Sequence, residues 1–444
     1  MNPEFERNIW LEMTGRRVFM MLGLLALTFA ASALANSDWG PPAVASVLFY
    51  VIVVVWGSRS AALSVVGEIR DRTWDGQRLS SLGAGTMMWG KLFGSTIYNW
   101  FGGAICLSVL IVHDVTTQGA AVASADLFFH VGIGLIAQAA ALLASLIAVS
   151  RGQGHSRFEV FAYQMVGLGA AVAVYWVWDE AHKQAVETVM WWGRPMHSGI
   201  FLLASLAAFS AWTLLGCYRE MRIELKMRNG PLVWLAFLVF MGLYIAGFDA
   251  WLSPDLNAWD AASLRLLLAG TTFAGLTYLM VLLEPKDRVH YRWMEGQFRQ
   301  GHVVNALNGV QSWMMSYAAT VLTGAVLCFW LLHDARAAVV GQPLVLAVLG
   351  FITRDVAIFV GMQTLPGKRR GDLGALVILF ALYVLAPSIL VGLNATGALF
   401  LFLPQLPAPT LAGVIAAWVQ AVAVVAFALT RLALTDREGR AVPA

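Results

Sequence analysis

The sequence predicts an all-α polytopic membrane protein: about twelve transmembrane helices in two six-helix parallel repeats, with both termini cytoplasmic. Three observations predict it. The 444 residues are 59% hydrophobic with a mean hydropathy of +0.70, and only 12% are charged, roughly half the share of a soluble domain. Apolar runs of the roughly 20 residues that a helix needs to cross a bilayer recur along the whole chain. When these runs are taken as successive crossings, 25 of the 29 Lys and Arg residues fall on one side, and loops biased in this way face the cytoplasm. This composition excludes an ordinary soluble enzyme, a disordered regulator and a nucleic-acid binder. The net charge is only +3, and the basic residues are sorted by topology rather than gathered into a phosphate-binding patch.

The predicted spans of the first half are 18–35, 44–66, 93–112, 126–149, 158–178 and 199–217. Those of the second half are 232–251, 262–283, 311–332, 339–361, 373–392 and 410–431. Each is read as a helix because backbone groups in lipid must be satisfied within the segment. The first run is read as a span, not a cleaved leader, because eleven more follow it. With the N-terminus inside, only Lys183, Arg194, Arg265 and Arg336 lie outside. Eighteen tryptophans, many beside loops, suit the membrane interface, where the ring is apolar and the N–H stays wet.

Between the spans, three segments stand out. In Asn2–Arg17, Phe5, Ile9, Trp10 and Met13 share one helical face, with Glu4, Glu6, Arg7, Glu12 and Arg16 elsewhere; such a helix lies along the cytoplasmic interface. Gly67–Lys91 begins with the charged, helix-compatible Glu68–Trp74, turns at Asp75-Gly76, and continues as a short helix across the inner face. The outer segment Asp179–Ser198 fits either an amphipathic helix on the outer leaflet or a loop anchored by Trp191 and Trp192. Its counterpart Leu393–Pro409 is more apolar and Pro-rich, and is expected to dip into the membrane.

The two halves, 1–220 and 221–444, carry traces of one another. Glu68-Ile-Arg70-Asp71-Arg72 follows the second span, and Glu284-Pro-Lys286-Asp287-Arg288 follows the eighth, at an offset of 216. Leu11-Glu12-Met13 and Leu225-Lys226-Met227 precede the first spans of their halves. His113-Asp114 and His333-Asp334 end the third and ninth. Because six spans is even, such copies share one orientation, a parallel repeat about an axis along the membrane normal.

Candidate chemistry is sparse. Gly85-Thr-Met-Met-Trp-Gly90-Lys91-Leu92 approaches the phosphate-cradling GxxxxGK[ST] pattern but lacks the hydroxyl and the strand–helix context, so no nucleotide site is expected in this chain. No HExxH, GxSxG or metal-ligand spacing occurs, and Cys106, Cys217 and Cys328 all lie in apolar segments. No catalytic, cofactor-binding or metal-binding residue is therefore assigned. His130 and Glu159 sit at span ends and read as interfacial. Arg354-Asp355, inside the tenth span, are the intramembrane charge candidates. Helical neighbours point about 100° apart, so the pair is not required to join, and Arg354 is expected to snorkel to the inner surface.

An amphipathic leader, a span, a second span ending in Glu68-Ile-Arg-Asp-Arg-Thr-Trp74-Asp75, then Leu79-Ser-Ser-Leu82 and Gly90-Lys91 before a third span, is an order that resembles the membrane subunit of ABC-2 type ABC transporters. The first half carries the resemblance; the second matches in topology, and Pro285, His290 and Tyr291 depart from the Thr-Trp-Asp continuation. The resemblance implies a permease subunit of an ATP-driven exporter in a bacterial inner membrane. It also implies two separate cytoplasmic ATPase subunits, carrying ATP and Mg, docked on coupling helices between spans two and three of each half. Glu68, Arg70, Asp71, Arg72, Glu284, Lys286, Asp287 and Arg288 would then pass force and perform no bond chemistry. Membrane lipids are partners, a separate periplasmic partner is left open, and nucleic acid is not expected. Two rivals stand beside this reading: a twelve-helix secondary transporter, with Gly167-Leu-Gly169 and Pro387 as helix breakers, and a non-transporting membrane scaffold.

Overall fold

A computed structural model describes residues 2–35, 40–150, 157–183, 187–227, 229–252, 259–286, 288–333, 335–363, 371–404 and 410–440. Asp287 lies outside them, as do Lys368, Arg369 and Arg370.

The chain is an all-α polytopic membrane protein, with eleven helices among the described residues long and apolar enough to cross a bilayer. After a short helix α1 (Pro3–Glu12) come α2 (Gly15–Leu34), α3 (Pro41–Arg70), α4 (Ile97–Thr117), α5 (Ala120–Ser150), α6 (Arg157–Lys183) and α7 (Ser198–Glu224). The second series is α8 (Leu232–Ala246), α9 (Ala261–Leu283), two connecting helices α10 (Arg288–Arg299) and α11 (Val303–Asn308), α12 (Ser312–Trp330), α13 (Ala335–Gln363), α14 (Gly371–Gly392) and α15 (Leu411–Arg440).

The seventh expected span, 232–251, is the exception. Helix α8 has 15 residues, about 22 Å at the α-helical rise, short of the roughly 30 Å hydrocarbon core. It stops where tryptophans reach its end. Trp192 donates its backbone N–H to Gly247 O at 2.8 Å, and the indoles of Trp191 and Trp192 donate to Tyr244 O and Leu243 O at 3.0 and 3.2 Å. Carbonyls that a helix end leaves orphaned are thus satisfied. A Cβ on Gly247 would lie 2.2 Å from the Trp191 indole nitrogen, so only glycine admits it.

Those tryptophans sit on a β-hairpin, β1 (Thr188–Trp191) and β2 (Arg194–His197), in the outer segment expected to be a helix or an anchored loop. Trp192 and Gly193 both have positive φ, 53° and 66°, which fits a two-residue turn of the type that matches strand twist. The tight turn and the indole hydrogen bonds outcompete the amphipathic pattern of 179–198.

The chain divides into two compact units: residues 1–189 with 195–229, and residues 190–194 with 230–444. In the first, α5 is central. Its apolar stretch is 61% buried, and α3, α6 and α7 pack on it. In the second, α13 is central and 72% buried, with α12, α14 and α15 on it. Each is the fourth apolar helix of its series. In order along each series, first meets second, second third, third fourth, fourth fifth and fourth sixth.

Helix irregularities follow from local chemistry. Pro387 has no N–H to give Tyr383 O, and α14 widens to a π turn over Ala381–Leu385 just before it. The Gly167–Gly169 pair does not break α6, which is continuous. A Cβ on Gly167 would lie 2.3 Å from Ala137 O, so this glycine permits close packing of α6 on α5. A second π turn, Tyr50–Trp56 in α3, leaves carbonyls that three side-chain amides answer. Asn99 donates to Ile52 O, Gln138 to Val53 O and Gln164 to Val55 O, at 3.0, 3.0 and 2.9 Å.

Candidate functional site

The first charged segment splits into a buried anchor and an exposed end. Glu68 turns inward, accepting from Arg7 at 2.6 Å and pairing with Lys91. Lys91, only 1% exposed, also pairs with Glu4 at 2.7 Å. Two carboxylates and two cations thus neutralise one another, which buried charges require. Burial lowers the Arg7 value, but its hydrogen bond to Glu68 and the charges of Glu4 and Glu68 outweigh that and hold it above its ordinary level. Helix α1 meets this cluster with its polar side. A Cβ on Gly90 would lie 2.6 Å from Glu4, and one on Gly94 2.8 Å from Asn8. Trp10, on the expected lipid-facing side, is 83% exposed.

Past this anchor, Arg70, Asp71 and Arg72 are exposed. Arg72 has φ 59°, the left-handed residue of a Schellman ending: Arg72 N–H reaches Ile69 O and Thr73 N–H reaches Glu68 O. Helix α3 therefore stops there and the chain turns into the short helix Trp74–Arg78.

The second charged segment is built differently on the same plan. Glu284 accepts from the backbone N–H groups of Ser312 and Trp313, both at 3.0 Å, and so caps α12 with a negative charge at its positive end. Lys286, 8% exposed, pairs with Asp372 at 2.8 Å at the start of α14. Arg288 opens α10, which pairs with α11 in a helical hairpin. Tyr291 donates to Gln311, Gln311 donates to Pro285 O, and the His290 ring meets Gly309 O at 2.7 Å. The residues that depart from the resemblance are thus those that pin this hairpin. Val289, Trp293, Phe298, Val304 and Leu307 on it are all exposed.

Deep in the second unit, Arg354 and Asp355 are 1% and 0% exposed. Arg354 does not snorkel. Its Nε donates to Asp355 Oδ1 at 2.9 Å and its Nη1 to Gln420 at 2.8 Å. The rings of Phe351 and Tyr383 lie 4.8 and 5.1 Å from the guanidinium, within cation–π range. Tyr278 and Tyr383 each donate to Asp355 Oδ2 at 2.7 Å. Arg354 bends round the helix to its neighbour because lipid offers a buried ion no other partner. Sequence reasoning located the pair but missed Tyr278, Tyr383 and Gln420. Pro387, one turn past Tyr383 and just after the π turn, was the available signal. Among the described residues, no three His, Cys, Asp or Glu side chains gather as metal ligands would.

No family model, curated protein or solved structure matches this chain.

Proposed function

We propose that the chain is the membrane permease subunit of an ATP-driven exporter, with its ATPases on separate subunits that dock on the segments after α3 and α9. One observation carries the reading. In each unit the glutamate at the end of the second long helix is tied to the chain that leads into the third: Glu68, in the last turn of α3, to Lys91 ahead of α4, and Glu284, next after α9, to the N-terminus of α12. An exposed element follows each anchor, Arg70–Arg72 in one unit and the α10–α11 hairpin in the other. Force applied to the exposed part reaches two membrane helices at once, as a coupling element must act. The same order of neighbours around α5 and α13 supports a duplicated pair of halves. Gating of this kind is rigid-body motion biased by binding elsewhere.

The test is reconstitution with the ATPase that co-purifies in mild detergent. Reversing the exposed charges together (Arg70→Glu, Asp71→Arg, Arg72→Glu) is expected to cut ATP-driven transport at least tenfold, about 1.4 kcal/mol of coupling, with unfolding unchanged. Full transport by this variant, or no ATPase bound to the native protein, would overturn the reading. A second reading, an ion-coupled carrier, is favoured by one observation: Asp355 lies buried against the π turn of α14, held by Tyr383, and carriers place their ligands at such helix irregularities. Transport driven by an imposed proton or sodium gradient without ATP would select it.

A further inference from the structure

The hairpin after α9 is polar along one stripe and apolar beside it. In α10, Arg292, Glu295 and Arg299 recur at intervals of three and four, so they share one side of the helix. Val289 and Trp293, four apart, lie about a third of a turn round from that stripe, and both are exposed. In α11, Ala306 is buried, while Val303, Val304 and Leu307 are exposed and share a side at helical spacing. The Trp293 ring joins the two legs: a Cβ on Gly309 would lie 2.5 Å from it. The first charged segment leaves no such surface, because its own tryptophan, Trp74, is buried in the core of its unit.

Helix length fixes the level of this hairpin. The stretch Ser312–His333 has 22 residues, close to the roughly 20 that a crossing needs, so Ser312 stands at the edge of the hydrocarbon. Helix α9, with 23 residues, brings Leu283 to the same edge. Gly309 precedes Ser312 by three residues, a reach of at most about 11 Å, and the turn from Val310 N–H to Leu307 O shortens it. His290 meets Gly309 O, and Gln311 ties Tyr291 to Pro285 O, so the hairpin cannot swing away from this end. The Trp293 ring therefore stands at the level of the headgroups, a layer about 5–8 Å deep on each side of the hydrocarbon.

Chemistry selects what covers the apolar side. Residues 288–302 hold three Arg and two His against one Glu. Basic residues flanking a Trp-bearing apolar side suit a phospholipid surface, where phosphates meet the cations and the rings sit among the headgroups. That surface is already present at this level.

We propose that the α10–α11 hairpin rests on the bilayer surface, with Val289, Trp293, Val304 and Leu307 set into the phospholipid headgroups and the Arg292–Glu295–Arg299 stripe turned to phosphate and water. The proposal goes beyond the export reading and does not depend on it.

The experiment uses the full chain, its three cysteines replaced by alanine, in nanodiscs of phosphatidylcholine and phosphatidylglycerol without ATPase. A nitroxide is attached at Val304→Cys, Leu307→Cys or Glu295→Cys, and its collisions with oxygen are compared with those with a water-soluble nickel chelate. At 304 and 307 oxygen should prevail about twofold or more, as for groups set about 5–10 Å into the headgroup and acyl boundary. At 295 the chelate should prevail. In a second measurement, Val304→Asp with Leu307→Asp should lift the hairpin, so that hydrogen exchange across 289–308 quickens about tenfold or more while 262–283 and 313–330 stay slow. A chelate that prevails at 304 and 307 would overturn the proposal, as would unchanged exchange in the aspartate variant. Shielding of those two labels only after the co-purifying ATPase is added would also overturn it, and would assign the apolar side to that protein.

Discussion

At the scale of single residues, buried charges behave as the low dielectric demands. Each of Glu4, Lys91, Arg354 and Asp355 is at most 4% exposed and each sits in an ion pair. Removing one partner of such a pair leaves the other charged and unpaired, at a cost of about 3–5 kcal/mol, whereas removing both is often nearly neutral. Arg354→Leu is therefore expected to lower the unfolding midpoint in detergent sharply. Arg354→Leu with Asp355→Asn should recover most of the loss, because the asparagine oxygen still accepts from Tyr278 and Tyr383. A double variant as unstable as the single would show that Arg354 acts by packing on Phe351 and Tyr383, not by charge. Neither the pairing nor its partners were legible in the sequence. Adjacent helical residues diverge in direction, and Gln420 stands 66 positions away from Arg354.

At the scale of elements, close backbone approach decides what hydropathy cannot. The apolar runs were legible because bilayer thickness sets their length. The orientation of α1 was not, because its lipid-facing pattern said nothing of the polar side that meets Gly90 and Gly94. The outer hairpin was hidden for a similar reason. Two left-handed residues and indole donors to α8 leave no periodic trace. Gly90→Val tests the approach directly. Its side chain would strike Glu4, whose Cβ and Cγ lie 2.6 Å from even a bare Cβ at that site, so α1 should detach while α4 stays folded. Hydrogen exchange should then speed up at the amides of residues 5–12, which lose their protection on local opening, and stay slow in 97–117. Unchanged exchange in α1 would show that it is held by something other than this contact.

At the scale of the whole molecule, the prediction concerns which way the two series of helices run. Sorting of the basic residues predicts that the segment after α3 and the segment after α9 share one face of the membrane, as a parallel repeat requires. An inverted repeat would place them on opposite faces. The packing order around α5 and α13 is common to both possibilities, so chemistry at the surface has to decide. Leu79, 88% exposed, follows α3, and Glu295 lies on the hairpin after α9. Leu393, 72% exposed, belongs to the opposite end of α14. In a chain whose three cysteines are replaced by alanine, Leu79→Cys and Glu295→Cys should react with a membrane-impermeant maleimide only after right-side-out vesicles are opened. Leu393→Cys should react in intact vesicles. Labelling of position 79 and position 295 from different sides would make the halves antiparallel, and paired docking of two identical motors on one face would then be geometrically impossible.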